Sequence, residues 1–328
     1  MKEQFLFEDL FDCYKIKNHI RLIELFAGVG SQAMALRDIG AIFENWKMIE
    51  FDKHAVASYN AIHGTNFEPT DIRNIKGQDL QIVDTDLHTY ILTYSFPCQD
   101  LSLAGKQRGM KKDSGTRSGL LWEVERLLNE TENLPQVLLM ENVPQVHGTK
   151  NIDDFNKWID FLTSKGYSNF WQDLNAKDYG VAQNRVRCFM ISILGGGHYE
   201  FPETVKLDKV IKDYLEDEVD EKYYIKSEKA YKLIFDLYER GILQDKEKVT
   251  CDLTINKPKE IDVMNCIKAR YDAGILPSKV RGGRCRAALM NYNRIEKVDN
   301  DVAKTLMARD YKGFNTGFDV QNGVIEIE

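Results

Sequence analysis

The sequence predicts an α/β protein: an open, mostly parallel sheet over residues 20–194, followed by a smaller, loop-rich region. Three observations lead there. Strand-like apolar runs alternate with helical patterns, the order that builds parallel sheets from strand–helix–strand units. The runs "YILTY" and "VLLM" are almost wholly apolar, as strands buried on both faces must be. After "GGGHYEFP" (195–202) the alternation stops, at three glycines and a proline that mark a boundary near residue 200.

Each element has its own local reason. "HIRLIELFAGVG" reads as a strand running into a glycine turn, and "SQAMALRDIG" as a helix closed by a glycine. "ENWKMIEFD" is a second strand and "KHAVASYNAIHG" a second helix. "TYILTYSFP" and "PQVLLMENVP" are the buried strands. Between them "SGLLWEVERLLNET" carries Leu120, Leu121, Val124, Leu127 and Leu128 on one helical face. "IDDFNKWIDFLTSKG" is a helix with a glycine end, and "RCFMISIL" a last strong strand. Beyond residue 200 come an acidic stretch, "KDYLEDEVDEKYY", a helical "SEKAYKLIFDLYERG", and irregular polar and basic segments.

Composition bounds the function. At 43% hydrophobic and 29% charged, 328 residues can bury a sizeable core and keep a solvated surface. No apolar run approaches the ~20 residues that cross a bilayer. The first residues, "MKEQFLFEDLFDCYK", mix acids with apolar residues, unlike a secretory leader, so a cytoplasmic protein with no membrane association is expected. The six cysteines form no CxxC pair and have no histidine at ligand spacing, so neither a metal site nor a disulfide framework is expected. The net charge of −7 argues against a generic polyanion binder. However, "GKQRGMKKDSGTRSG" (105–119) and "SKVRGGRCRAALMNYNRIEK" (278–297) are locally basic and suit a phosphate-tracking cleft.

Four constellations can carry chemistry. In "ELFAGVGSQ", Gly28 and Gly30 sit between a strand and a helix, where backbone can approach a ligand closely. Glu50 ends the next strand about twenty residues on, where nucleotide-binding α/β folds place an acid on ribose hydroxyls. Asp71, in "TDIRNI", can meet an adenine amino group or simply cap a turn. The ligand is adenosine-like, and "GVGSQA" lacks the GxGxxG spacing of a dehydrogenase. In "YSFPCQDLSLAG", Cys98 follows a proline at the end of a strand and precedes a basic loop that would favour its thiolate. Most cysteines are buried and inert; Pro97 and the polar "QDLS" make that reading less comfortable here. In "LLMENVPQ", Glu141 ends an apolar strand, where a carboxyl is costly without a task or partner and can serve as an acid. In "QNRVRCF", Arg185 and Arg187 lie two apart entering a strand, so alternation puts both on one face.

Taken in order, "ELFAGVGS", "IEFD", "TDIRNI", "SFPCQDLS", "SGLLWEV", "ENV" and "QNRVR" resemble the motifs of the cytosine-5 DNA methyltransferase family. The resemblance implies a Rossmann-like S-adenosylmethionine methyltransferase sheet. Residues 1–200 would be the catalytic and cofactor-binding domain, and residues 201–328 a loop-rich target-recognition region. It assigns Cys98 as the nucleophile on cytosine C6, Glu141 as the group that holds and protonates ring N3, and Asn142 as a brace for the loop. Arg187 would contact cytosine O2, and Arg185 would help fix the site. S-adenosylmethionine would meet Phe26, Gly28, Gly30, Glu50, Phe51, Asp71, Ile72, Pro97 and Leu120. Double-stranded DNA, its target base flipped out, would meet Gln99, Ser102, Arg281 and Arg284. Gln-Asp after the cysteine, in place of the Phe-Thr type of the RNA-directed branch, favours DNA. The setting implied is restriction–modification or phage protection, with a cognate restriction endonuclease as partner. Two later family motifs, an Arg-Glu helical segment and a Gly-Asn segment, do not follow the recognition region. The resemblance thus implies the large subunit of a split enzyme, with a complementing methyltransferase subunit as partner, a truncated gene product, or an excised piece of a longer chain. The alternative is a catalytically incompetent DNA-binding or regulatory subunit on the same scaffold.

Overall fold

The computed structural model describes residues 13–101 and 108–214, and beyond these the strand segments named below. The acidic stretch from residue 215, the helical reading of 227–241, and Ser102, Arg281 and Arg284 lie outside the described residues. The chain divides into two compact units. One comprises residues 1–174 and 186–203, the other residues 175–185 and 204–328.

In the first unit, six strands form one sheet in the order β2-β1-β3-β4-β7-β5. They are β1 (His19–Leu25), β2 (Phe43–Ile49), β3 (His88–Tyr94), β4 (Val137–Asn142), β5 (Tyr167–Asn175) and β7 (Val186–Leu194). Strands β2, β1, β3 and β4 run parallel, as the alternation predicts. Strand β7 runs antiparallel to β4, which apolar periodicity cannot foretell. Strand β5 corrects the sequence reading, which has no strand there. Its segment "YSNFWQDLN" lies at the sheet edge, and only Tyr167 is buried, so the apolar signal is broken.

The helices follow from local chemistry. Helix α1 (Ser31–Asp38) leaves the glycine turn at Gly30, whose φ of 79° is left-handed. Helix α2 (Lys53–His63) is capped by Asp52, which accepts from the His54 and Ala55 N–H groups, and Gly64 (φ 65°) ends it. Helix α3 (Leu121–Glu130) has no side-chain cap. It is held by burying Leu121, Val124, Leu127 and Leu128, each worth about 1.5–3 kcal/mol relative to exposure. Helix α4 (Ile152–Ser164) buries Phe155, Trp158 and Leu162, and the Trp158 indole N–H donates to the buried Tyr94 hydroxyl at 3.0 Å. Helices α3 and α4 cover one face of the sheet over Leu92, Tyr94, Met140 and Met190. On the other face Ile20, Leu22, Ile91, Val137, Ile191 and Ile193 pack with Ala33 of α1.

In the second unit, a six-stranded sheet takes the order β10-β9-β12-β14-β13-β8. Its strands are β8 (Tyr224–Ile225), β9 (Val249–Asp252), β10 (Lys259–Glu260), β12 (Ala287–Asn291), β13 (Val302–Lys304) and β14 (Gly323–Glu326). β6 (Gln183–Asn184) pairs in parallel with β11 (Met264–Asn265). A region read from sequence as irregular is thus organised around short strands, too short for period-two alternation to register.

Candidate active site

The parallel strands deliver their carboxyl ends to one edge of the first unit's sheet, the edge where open α/β sheets bind ligands. Every strand-end motif singled out in the sequence lies there, and β7 adds a second route. Because it runs antiparallel to β4, its beginning lies beside the end of β4, with Cys188 opposite Asn142 and Phe189 opposite Glu141. This reversal places Arg187 next to Glu141, and their side chains form an ion pair at 3.0 Å, both about one-fifth exposed. An acid that would be costly alone is thereby given its partner and remains accessible.

Glycine chemistry shapes the first half of the site. Phe26, Gly28 and Gly30 all have positive φ (58°, 57° and 79°), which only a strained or glycine-rich turn adopts. A side chain on Gly28 would meet nothing within 4 Å, so the space above this backbone is open. Gly30 is the reverse case. A Cβ there would lie 2.4 Å from His63 Nε2 and 2.6 Å from Tyr59 Cε2. Tyr59 cannot yield, being fully buried with its hydroxyl donating to Glu24 at 2.6 Å. Glu24 is itself fully buried. It accepts from Tyr59 and from the Ala33 N–H at the start of α1, and burial pushes its carboxyl above the ordinary range against both bonds.

Glu50 closes the turn from the other side. One carboxylate oxygen accepts from the Gly28 N–H at 3.1 Å and the other from the Asp52 N–H at 2.9 Å. The next residue, Phe51, is 72% exposed and presents a large aromatic surface. Asp71 caps the 3-10 turn Ile72–Asn74, accepting from the Arg73 N–H at 3.0 Å. The Arg73 guanidinium also pairs with it and holds its carboxyl below the usual range. The turn-capping reading of Asp71 is thus realised in the folded chain, and Ile72 beside it is buried.

Cys98 sits just past β3, half-buried, with Pro97 before it and the exposed Gln99 after it. The segment is fixed at several points. Asn142 donates from Nδ2 to the Phe96 carbonyl at 2.9 Å and accepts from the Val143 N–H at 2.9 Å. Ser118 Oγ donates to the Pro97 carbonyl at 2.6 Å and accepts from the Asp100 N–H at 3.3 Å. The Asp100 carboxylate accepts from the Arg117 N–H at 2.8 Å, and its carbonyl accepts from the Gly109 N–H at 3.0 Å. Asp100 and Ser118 thus clasp the base of the basic loop, beside half-buried Leu120. The sequence reading missed this clasp, because nothing in a sequence links residues 18 apart across a loop. By contrast Cys188 is fully buried, and burial together with the carboxylates of Asp173 and Glu141 pushes its thiol up to about 12.

The geometry thus brings Cys98, Glu141, Asn142 and Arg187 to one edge with the glycine turn and Glu50. Arg185 belongs to the second unit, where its N–H donates to Asn175 Oδ1 at 2.9 Å and its carbonyl accepts from the Ala176 N–H.

Comparison with known proteins gives the family and the fold. The family model for C-5 cytosine-specific DNA methylase matches residues 20–319. The chain is similar to the type II methyltransferase M2.ScrFI of Lactococcus lactis subsp. cremoris, 35% identical over 63% of this chain and 71% of that protein. It is also similar to the orphan methyltransferase M.SssI of Spiroplasma monobiae, 45% identical over 57% of this chain; the match spans about half of that relative, 48%. Among solved structures, S. pombe Dnmt2 methyltransferase superposes with a TM-score of 0.56 over 78% of this chain and 74% of that one. At 20% identity, this is a likeness of fold.

Proposed function

Because the chain belongs to the C-5 cytosine-specific DNA methylase family, we propose that it transfers a methyl group from S-adenosylmethionine to C5 of cytosine in a specific double-stranded DNA sequence. The observation that carries the reading is the shared edge of Cys98, braced through Asn142, and the Glu141–Arg187 pair.

The donor site fits an adenosine-bearing ligand. The turn at Gly28 is open to close approach, Glu50 is anchored by two backbone N–H groups with lone pairs to spare for ribose hydroxyls, and Phe51 offers an exposed ring face. Phe26, Gly30, Asp71, Ile72, Pro97 and Leu120 complete the proposed cofactor surface. When bound, S-adenosylmethionine supplies an electrophilic methyl on sulfonium sulfur.

Cytosine C5 is a poor nucleophile until the ring's aromaticity is broken, and that is the work proposed for Cys98. Its thiolate adds to C6, while Glu141 donates a proton to N3 so that the electron pair released from the ring collects at C5. Arg187 pairs with Glu141 and so keeps that carboxyl oriented; its proposed further role is to hold cytosine O2. Once C5 has taken the methyl group, a base removes the C5 proton, the C6–sulfur bond breaks with its electrons returning to Cys98, N3 gives its proton back to Glu141, and aromaticity is restored. The reaction needs the base out of the stack. Gln99 and the basic residues after it are the proposed groups that follow the opened duplex. Arg185, Ser102, Arg281 and Arg284 enter as DNA- or site-fixing residues on their sequence positions alone.

The restriction–modification setting is the finer part of the proposal. It is supported by the similarity to a named type II methyltransferase, and it implies an endonuclease reading the same site. The test is methyl transfer from labelled S-adenosylmethionine to DNA of mixed sequence, with Cys98→Ser as control. Incorporation that disappears in the variant supports the reading, and incorporation by the chain alone removes the need for a complementing subunit. No incorporation with any added chain, alongside retained DNA binding, identifies a non-catalytic DNA-binding subunit instead.

A further inference from the structure

Behind the acid–arginine pair lies a second cluster that the proposed reaction does not use. His147 follows the turn after Glu141 and Asn142, Asp173 lies on β5, and Cys188 lies on β7 directly after Arg187. One donor atom from each comes within 4.8 Å of the other two, and His147 Nε2 already meets Asp173 Oδ1 at 2.9 Å. We propose that His147, Asp173 and Cys188 bind a divalent thiophilic cation of the zinc type, which ties the turn that follows Glu141 and Asn142 to the strand carrying Arg187.

The donor set selects the ion. One sulfur, one imidazole nitrogen and one carboxylate oxygen suit zinc, whereas magnesium and calcium require oxygen shells. A thiolate and a carboxylate together balance a double positive charge, so the loaded centre is neutral and tolerates its partly buried position. Zinc–donor bonds of about 2.0–2.3 Å in a tetrahedron separate the donors by roughly 3.3–3.8 Å. The His147–Asp173 pair therefore opens slightly and Cys188 moves in by about an ångström or less. The imidazole is already oriented, its ring 4.6 Å from that of Trp171 and 6.0 Å from that of Phe155, so little rotamer freedom is lost on binding. Cys188 is fully buried while His147 and Asp173 keep a fifth and a third of their side chains exposed. The fourth coordination position therefore faces outward, with a path for entry. Binding replaces the Cys188 proton with the metal and releases that proton to solvent.

The sequence reading expected no metal because the three ligands are 26 and 15 residues apart and share no spacing motif; the fold alone assembles them. The site stands apart from the proposed catalysis and is tested without it. The probe is Co2+ added to the full chain with its other five cysteines changed to serine. The expected result is one Co2+ per chain with a thiolate–cobalt charge-transfer band and tetrahedral d–d absorption, both displaced by Zn2+. The band vanishes in Cys188→Ala, and the dissociation constant weakens at least tenfold in His147→Ala and in Asp173→Ala. An octahedral spectrum, no thiolate band, or affinity unchanged by His147→Ala and Asp173→Ala overturns the proposal. Should the serine background fail to fold, zinc retained by the unmodified chain after dialysis is compared with that in the two half-exposed variants. Equal zinc in all three overturns it equally.

Discussion

Asn142→Ala tests the brace between the two halves of the site. Asn142 is 2% exposed, and its amide holds two main-chain groups that are themselves buried, the Phe96 carbonyl and the Val143 N–H. Truncation removes both bonds and leaves those groups without that partner where water does not reach. Each such group costs about 1–3 kcal/mol, so the two together should cost the variant about 2–6 kcal/mol. Against a typical total of about 5–15 kcal/mol that is a large fraction. The assay is urea unfolding at low temperature, where the midpoint should fall with the slope unchanged. Catalysis should suffer beyond stability, because Phe96 lies two residues before Cys98: under conditions where the variant is fully folded, kcat should drop more than KM rises. Asn142→Asp sharpens the test, since a carboxylate can still accept from Val143 but repels the Phe96 carbonyl, and it should be no better than alanine. A loss under about 0.5 kcal/mol with unchanged methylation would refute the reasoning.

Other outcomes follow from the same geometry. Glu141→Gln should lower turnover by about 10²–10⁴, the usual worth of a positioned acid, while DNA affinity in a gel-shift titration stays within a few-fold; near-normal turnover would remove Glu141 from its role. Gly30→Ala meets both a left-handed φ and the immobile Tyr59 ring, so calorimetric affinity for S-adenosylmethionine should weaken at least tenfold, and unchanged affinity would show that the turn is not part of that pocket. Glu24 has a raised folded-state carboxyl pKa through burial; its contribution to stability is complete below the unfolded value of about 4.3 and is lost as pH rises through the folded value. Glu24→Gln should therefore flatten the fall in urea midpoint between weakly acidic and neutral pH, whereas an identical pH profile would contradict the burial argument.

What the sequence disclosed and what it hid have physical causes. Gly28, Gly30, Pro97, Cys98 and Glu141 are legible because a strand end is a local event: a glycine, a proline or a lone carboxylate after an apolar run marks it within a few residues. The helices α3 and α4 are legible because their buried faces repeat at helical spacing. The direction of β7 is not, since an apolar run reads the same whichever way the strand runs, and that direction is what sets Arg187 against Glu141. Edge strand β5 hides because most of it is not buried. The Asp100–Ser118 clasp and the His147–Asp173–Cys188 cluster join residues far apart in the chain, and only the fold reveals them. Asp71 shows another limit, for its sequence fits a ligand contact and a turn cap equally, and the pairing with Arg73 emerges only in the folded chain.

The central claim is that the sulfur of residue 98 bonds transiently to the target pyrimidine. Duplex DNA carrying 5-fluorocytosine within the methylated site tests it most directly, because fluorine at C5 cannot leave as a proton and the adduct is trapped after methyl transfer. With S-adenosylmethionine present, mass spectrometry of the digested complex should find the modified base on the peptide containing Cys98, and no complex should form with Cys98→Ser. Methylation of ordinary DNA without any trapped adduct, or an adduct on a different cysteine, would contradict the account.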